Sequence, residues 1–287
     1  RLPVTGIDLP GVMTLRTWAD GRALRDAAAG APRVVVVGGG FIGVEAAASL
    51  RAVGFEVDLL MLEQVVLERA LGAGLGAELG RRLDAAGIRL HPGTSVSAFP
   101  GGARLEGVAT DTAGDLPAGL AVLGVGMAPV VDLAEASGLA LDGDLGGVAC
   151  DGGFRTSRPG VFAAGDMAAV VSTVAGHRVR VEHWAEALNQ GKMAARAMLG
   201  RAVEYDRVPY FFSDIGPSSI EYVGVGGPIE HEAVLERGDG LVACHFRGDR
   251  LVGVATLDAG DALDAARDLV RVGATEERAR AGLAAAA

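Results

Sequence analysis

Cysteine is nearly missing: Cys150 and Cys244 stand far apart in unlike contexts, which excludes a disulfide framework and gives no support to a zinc site. The five histidines show no ligand spacing either, so no metal is expected. Basic clusters are also lacking. With a formal net charge of -10 and no grouped Lys and Arg, the chain has no face suited to nucleic-acid phosphates, although a nucleotide cofactor stays open. No apolar run approaches the roughly 18 residues that cross a bilayer. No charged-then-apolar N-terminal stretch looks like a signal peptide, so the expectation is a cytoplasmic protein with no membrane partner. The chain opens on Arg1, not Met, within loop-like sequence, which leads us to expect an incompletely represented protein.

Aromatic residues are few at 5%, yet 50% of the 287 residues are hydrophobic, which suits α/β cores, excludes disorder and fits about two domains. Glycine is plentiful. The 44 glycines form no period or tract and fall between valine- and leucine-rich runs, as they do in a many-turned α/β chain.

The richest stretch is RVVVVGGGFIGVEAAASLRAVGFEVD, Arg33 to Asp58. Val34 to Val37 read as a strand buried on both faces, followed by Gly38-Gly39-Gly40-Phe41-Ile42-Gly43 and a helical pattern to Val53. In this strand, glycine turn and helix, Gly38 permits a tight turn and Gly40 lets backbone approach a pyrophosphate. Gly43 lets the helix pack closely, and the helix N-terminus at Phe41 and Ile42 aims at phosphate. The alternative is a glycine turn that merely packs.

Residues 1–11, with Pro3, Gly6 and Pro10, read as a connecting segment, and Thr17 to Ala29 as a helix stopped by Gly30-Ala31-Pro32. Glu56 to Met61 is the second strand of the βαβ unit. Its end, where an acidic residue would hold a ribose, is Met61; Glu63 two residues on is either a ribose ligand or solvated loop. Leu75 to Ala86 reads as a helix, Ile88 to Phe99 as strand and turn, Arg104 to Leu116 as polar hairpin, and Leu120 to Val125 as another apolar strand. A second glycine turn, Gly124-Val125-Gly126, follows at that strand's end, either a wall of the nicotinamide site or a plain turn.

Val148 to Asp151 and Val161 to Ala164 read as strands, the second ending in Gly165-Asp166. Asp166 could accept a sugar hydroxyl while a following helix offers its N-terminus, or could simply be an N-cap. Glu182 to Leu199 reads as a long helix. Strands at Ile220 to Val225, Leu241 to Phe246 and Leu251 to Leu257, then helices at Asp261 to Val270 and Thr275 to Ala286, make an α+β tail without a phosphate turn.

Taken together, VVVVGGGFIGVE (Val34 to Glu45), LGVGMAP (Leu123 to Pro129), FRTSRPGVFAAGDMA (Phe154 to Ala168), VRVEHWAEALNQG (Val179 to Gly191) and VPYFFSD (Val208 to Asp214) resemble the FAD-containing NAD(P)H-dependent ferredoxin and rubredoxin reductases of the pyridine nucleotide-disulfide oxidoreductase superfamily. The resemblance implies an α/β fold in which a Rossmann-like NAD-binding domain is inserted in an incomplete Rossmann-like FAD-binding domain, followed by a small α+β domain. The implied bounds are 1–14 for a remnant or linker of the FAD domain, 15–128 for the NAD(P)-binding domain, 129–206 for the second FAD part and 207–287 for the C-terminal domain.

By the same resemblance Gly38, Gly40 and Gly43 would bind the NAD(H) pyrophosphate and Glu45 would be the catalytic residue beside the nicotinamide. Its alternative is a first-turn carboxylate serving the helix dipole. Asp166, with Gly165, would hold the FAD ribityl chain; Glu182, His183 and Trp184 would lie beside the flavin ring, and Phe212 would line its exposed edge. The implied activity passes electrons from NAD(P)H through FAD to a ferredoxin- or rubredoxin-like acceptor. The rivals are an NADH oxidase or apoptosis-inducing-factor-like flavoenzyme, and a flavin-less NAD-binding protein.

The sequence departs from the family where Met61 replaces an acid, Val130 replaces Asn and Glu186 replaces a common Asn. No Arg stands next to Met61 in sequence, so NAD(H) is expected ahead of NADP(H). The family's earlier glycine motif for the FAD pyrophosphate does not occur in this sequence, leaving only part of the flavin site. The sheet edges exposed by that loss lead us to expect aggregation or a homodimer.

Overall fold

The computed structural model describes residues 2–28, 30 and 33–285; Ala29, Ala31, Pro32 and Ala286, which bound two of the expected helices, lie outside them. The chain divides into two compact units, Arg1–Gly126 with Ser213–Ser219, and Met127–Phe212 with Ile220–Ala287. Segments 129–206 and 207–287 thus share one unit apart from the short 213–219 piece.

The first unit is built on a five-stranded sheet. Its elements in chain order are β1 (Val12–Thr14), α1 (Trp18–Ala28), β2 (Arg33–Val37), α2 (Phe41–Ala52), β3 (Glu56–Leu60), α3 (Glu68–Ala85), β4 (Ile88–His91), β5 (Val96–Ala98), β6 (Gly107–Thr110), β7 (Leu116–Pro117) and β8 (Leu120–Leu123). The sheet runs β1-β8-β2-β3-β4 with every neighbouring pair parallel. Val34, Val35 and Val36 are fully buried on the central strand, as an unbroken β-branched run covered on both faces requires. Ala46, Ala47 and Ala48 are buried on α2, where small side chains let the helix lie close to the sheet. The antiparallel sheet β5-β6-β7 occupies the connection from β4 to β8.

Three expectations change here. Val12–Thr14 is no linker: it pairs with Ala121 to Leu123 as an edge of the parallel sheet. The helix expected from Leu75 is the second of two helical pieces: a first piece begins at Glu68, whose Oε2 accepts the Gln64 N–H at 2.9 Å, and Gly72, at φ 83 and ψ 171, breaks the helix between them. The strand expected to reach Val125 stops at Leu123, where the glycine turn takes over.

In the second unit the elements are α4 (Asp132–Ala136), β9 (Val148–Cys150), β10 (Ala168–Val171), β11 (Arg178–Val179), α5 (Trp184–Met198), β12 (Tyr210–Ile215), β13 (Ser218–Gly224), β14 (His231–Arg237), β15 (Gly240–Arg247), β16 (Arg250–Leu257), α6 (Leu263–Val272) and α7 (Glu276–Ala285); the segment from Ser213 to Ser219 groups with the first unit. One small sheet is ordered β11-β10-β9 and a larger one β12-β13-β16-β15-β14. The apolar stretch Val161 to Ala164 is not a strand; Phe162 makes one isolated bridge to Arg155 and the paired strand lies later, at Ala168–Val171. Gly165 has φ +80 and its carbonyl accepts the Ala168 N–H at 2.8 Å, so Asp166 sits in a turn entering a strand. No helix N-terminus follows it. Strand β14 is an element that the sequence reading leaves out.

The parallel sheet buries one carboxylate. Asp58, opposite Arg89 in register, is 2% exposed; Arg89 donates to both its oxygens at 2.8 Å and His91 Nε2 lies 2.9 Å from Oδ1. Burial alone would raise the Asp58 pKa, but the hydrogen bonds and charges of Arg89 and His91 outweigh it and hold the carboxyl below its ordinary value. A depressed folded-state pKa adds stability that is complete above the unfolded value of about 3.9 and disappears as pH falls through the folded value. Asp58→Asn is therefore expected to lower stability by roughly 1–3 kcal/mol at pH 7. Its denaturation midpoint should converge with that of the parent protein below about pH 4. Urea titrations at a series of pH values check both, and a difference that stays constant with pH contradicts this account.

Candidate functional site

At the C-terminal edge of the parallel sheet, β2 leads to β3 and β4 on one side while β8 lies against its other side. This reversal of strand order opens a crevice in which open α/β sheets take their ligands. Both glycine turns stand there. Gly38 donates to Leu60 O at 2.8 Å and Gly124 donates to Val37 O at 2.8 Å, so each turn is tied to a neighbouring strand. Gly38 has φ +115, and a Cβ on it would lie 2.3 Å from Gly124 O. A Cβ on Gly43 would lie 1.9 Å from Gly38 O, and one on Gly124 2.8 Å from Gly43 N. The three glycines interlock at backbone contact.

Gly40 is different. As the N-cap of α2 it has φ -81 and ψ 178, an extended conformation open to any residue, and a Cβ there would meet nothing within 4 Å. No side chain caps the helix, whose first-turn N–H groups lack intrahelical acceptors. An anion can use those donors and that space. The residues present therefore fit a dinucleotide pyrophosphate at Gly38, Gly40, Phe41, Ile42 and Gly43, and the second turn, with exposed Gly126 at φ +104, borders the same crevice.

At the end of β3, Met61 is 3% exposed and lies under the first turn; a Cβ on Gly39 would be 2.9 Å from Met61 Cβ. Glu63 carries an ion pair with Arg69 Nε at 2.9 Å, and Arg69 is largely exposed. The fold thus brings an arginine to the strand end that lacks one in local sequence, a correction to the reading of the chain alone.

Glu45 lies past the first turn of α2, which contains no acid, so the helix-dipole role is excluded. Instead Oε1 accepts the Ser213 hydroxyl at 2.5 Å, and Ser213 is buried within the same unit. Sequence reasoning missed Ser213, because nothing local in VPYFFSD signals a partner 168 residues away.

The second unit holds the remaining predicted residues. The Gly165 N–H donates to Gln190 Oε1 at 2.9 Å, and Gln190 is fully buried on α5. Asp166 is exposed, and its side chain makes no hydrogen bond among the described residues; its backbone carbonyl accepts from Arg180, whose guanidinium also pairs with Glu182. Glu182 and His183 precede α5, not its interior, because His183 is the N-cap. The His183 ring stacks on Phe211 with centroids 4.2 Å apart, and burial pushes its pKa down against the pull of Asp166 and Glu182. Trp184 is 78% exposed and Phe212 59%. An unpaired carboxylate on a left-handed glycine turn, with large uncovered rings, fits a polyol joined to a planar ring. Among the described residues no group of His, Cys, Asp and Glu could hold a metal ion, and no helix is long and apolar enough to cross a membrane.

The glycine geometry separates two kinds of substitution. Gly43→Ala should destabilise the protein by roughly 1–3 kcal/mol, since its methyl meets a backbone oxygen. Gly40→Asp should leave the melting temperature nearly unchanged but weaken NADH binding by about tenfold or more, by placing a like charge at the anion position. Calorimetry of folding and of NADH binding reads both; equal loss of stability in the two variants would contradict an open cradle at Gly40.

Residues 1–191 match the family described as Pyridine nucleotide-disulphide oxidoreductase. The ferredoxin–NAD(+) reductase component of the anthranilate 1,2-dioxygenase system of Burkholderia cepacia is 35% identical over 268 residues, which cover 91% of this chain and 64% of that protein. The chain thus spans less than two thirds of this relative's length. Among solved structures, a ferredoxin reductase from Rhodopseudomonas palustris superposes with a TM-score of 0.84 at 31% identity, covering 95% of this chain and 72% of that one. The covalent putidaredoxin reductase–putidaredoxin complex matches with a TM-score of 0.86 at 27% identity, covering 100% of this chain and 72% of that chain. The parallel sheet with its two interlocked glycine turns, and a family match across the first 191 residues, agree: the chain belongs to the pyridine nucleotide-disulphide oxidoreductase family.

Proposed function

We propose that this protein passes electrons from NAD(H) through FAD to a ferredoxin- or rubredoxin-like iron–sulfur carrier. The observation that carries this reading is the open cradle at Gly40 beside interlocked Gly38, Gly43 and Gly124, in a chain whose relatives include a ferredoxin–NAD(+) reductase component. In this reading residues 15–128 form the NAD-binding domain, 129–206 the second part of the FAD-binding domain and 207–287 the C-terminal domain. The name of the putidaredoxin reductase–putidaredoxin complex supports a small iron–sulfur acceptor. Homodimerisation belongs to the same reading and is open to sedimentation analysis.

FAD, when bound, accepts a hydride and releases electrons singly. The chain supplies position and charge. First-turn donors of α2 would hold the nicotinamide dinucleotide at its pyrophosphate, with Gly124 and Gly126 walling the crevice. Glu45 would stand at the nicotinamide end, its carboxylate fixed by Ser213. Asp166, on the turn that Gln190 braces, would accept a ribityl hydroxyl. Glu182, His183, Trp184 and Phe212 would border the flavin ring, with His183 favoured in its neutral form by burial.

The cysteines do not enter this chemistry. Cys150 and Cys244 are buried in separate clusters, and burial pushes their thiols up to about 11 and about 12, far from the thiolate that disulfide exchange needs. Protein reconstituted with FAD should show a flavin absorption band and NADH-dependent reduction of a ferredoxin. The Cys150→Ala/Cys244→Ala variant should keep most of that rate. NADH binding without any transfer to a one-electron acceptor, or a large loss in the double variant, would overturn the proposal.

Nucleotide choice follows from the Glu63–Arg69 pair. Glu63 would accept from the ribose 2′-hydroxyl and disfavour a 2′-phosphate. Removing it frees the exposed guanidinium of Arg69. Glu63→Ala should shift the NADPH-to-NADH affinity ratio by about tenfold toward NADPH, the equivalent of one charge-assisted hydrogen bond. Calorimetric titration with both nucleotides tests this, and an unchanged ratio places the ribose reader elsewhere.

A further inference from the structure

Away from the residues above, the second unit contains a cleft of about 70 Å³, lined on its polar side by His177, Arg247 and Arg250 and on its apolar side by residues that include Val174, Val225 and Val270. Arg247 ends β15 and Arg250 begins β16, and the two are directly opposed partners across the hairpin. Like charges in that arrangement repel, and a sheet normally avoids them.

Both arginines are held in place. Arg247 Nη2 donates to Gly226 O at 3.1 Å, and its Nη1 lies 3.5 Å from His177 Nε2. Arg250 Nη2 donates to Val174 O at 3.1 Å. Space for them is made by two glycines in left-handed conformations. A Cβ on Gly227, at φ +96, would lie 2.1 Å from Arg247 Nη2, and one on Gly273, at φ +60, would lie 2.6 Å from Arg250 Nε. Any other residue at either position would push a guanidinium aside.

What is missing is an anion. Neither arginine forms an ion pair among the described residues, in a chain whose acids outnumber its bases. Of the carboxylates at this hairpin, that of Glu230 is engaged by the Gly248 N–H at 2.8 Å, and that of Asp249, in the exposed turn between the two arginines, pairs with neither among the described residues. Arg247 Nε is buried with no hydrogen-bond partner among the described residues, an unmet charged donor that a native fold rarely leaves.

We propose that this cleft binds one small oxyanion, a phosphate or carboxylate group gripped by Arg247 and Arg250. The guanidinium fork suits two-point contact with either group. The volume admits a few waters or one compact anion and excludes a nucleotide, which separates this site from the glycine cradle. An anion here satisfies the Arg247 donor and removes the repulsion across the hairpin.

Inorganic phosphate and acetate, each titrated at constant ionic strength, test the site by calorimetry and by arginine Nε–H NMR. At least one should bind saturably at one site and move the Arg247 signal, and the tighter of the two identifies the group. Arg250→Gln, an exposed position, should weaken that binding by about tenfold or more, and Arg247→Gln should do the same. Because the glycine turn of the first unit also attracts phosphate, Gly40→Asp serves as the control. Binding that survives both arginine variants and disappears in Gly40→Asp belongs to the glycine turn and overturns the proposal. Saturation by neither anion overturns it as well.

Discussion

The structure turns on a backbone contact that only glycine permits. Where β2 and β8 part company with their helix and loop, Gly38, Gly43 and Gly124 approach so closely that a methyl on any one would meet backbone atoms at 2.8 Å or less. That contact sets the angle at which α2 leaves the sheet and hence where its N-terminus points. It also joins two turns more than 80 residues apart into one wall, so the crevice at the reversal of strand order is a consequence of packing before any ligand is considered. Gly40 belongs to the same motif but not to that packing, since its missing Cβ faces open space. A fold needing tight turns alone would tolerate a side chain there; one holding a phosphate would not.

Charge is handled differently in the two units. In the first, Asp58 is buried but bidentately paired with Arg89, and remains ionised because its partners outweigh desolvation. In the second, Glu186 is 1% exposed on α5 with Arg207 3.8 Å away, a poorer partner, and burial pushes its pKa up. Glu186 Oε1, Gln190 Nε2 and the Tyr205 hydroxyl lack well-aligned partners among the described residues, so this cluster is packed more than it is bonded. The rise matters for reading the sequence. Glu186 stands where the resemblance makes Asn, a neutral side chain, common, and burial at that position disfavours the charged form of the carboxyl.

Much of the site was legible in the sequence because its determinants are local. A four-valine run ending in glycines, followed by an alanine-rich helix, can be read from one short stretch, and Gly124 to Gly126 can be read from the apolar strand before it. Residues fixed by distant partners were not legible. Ser213 meets Glu45 only through the fold, Arg69 reaches Glu63 only when α3 turns back on the strand end, and Gln190 braces Gly165 from across α5. The short strand Val12–Thr14 is framed by Pro10, Gly11 and polar residues, and it forms because β8 offers a parallel edge. Val161 to Ala164 misled for the opposite reason. It is apolar enough for a strand, but left-handed Gly160 and Gly165 bend the chain at both ends and the pairing moves to Ala168–Val171.

The placement of the reactive groups follows from the same division. Protonated thiols in two separate cores cannot exchange electrons as a pair, whatever the family name suggests of disulfides, since exchange proceeds through a thiolate within reach of its partner. The polar side chains at the glycine turns, Glu45 in the first unit and Asp166, Glu182 and His183 in the second, can bind and orient a ligand but carry no electrons themselves. Large rings left uncovered at Trp184 and Phe212 run against the ordinary tendency to bury apolar surface, and their exposure is intelligible if a planar cofactor is the surface they await. A scaffold that spends its precision on glycine contacts and its side chains on orientation suits chemistry done by bound groups, with the protein deciding which atoms meet.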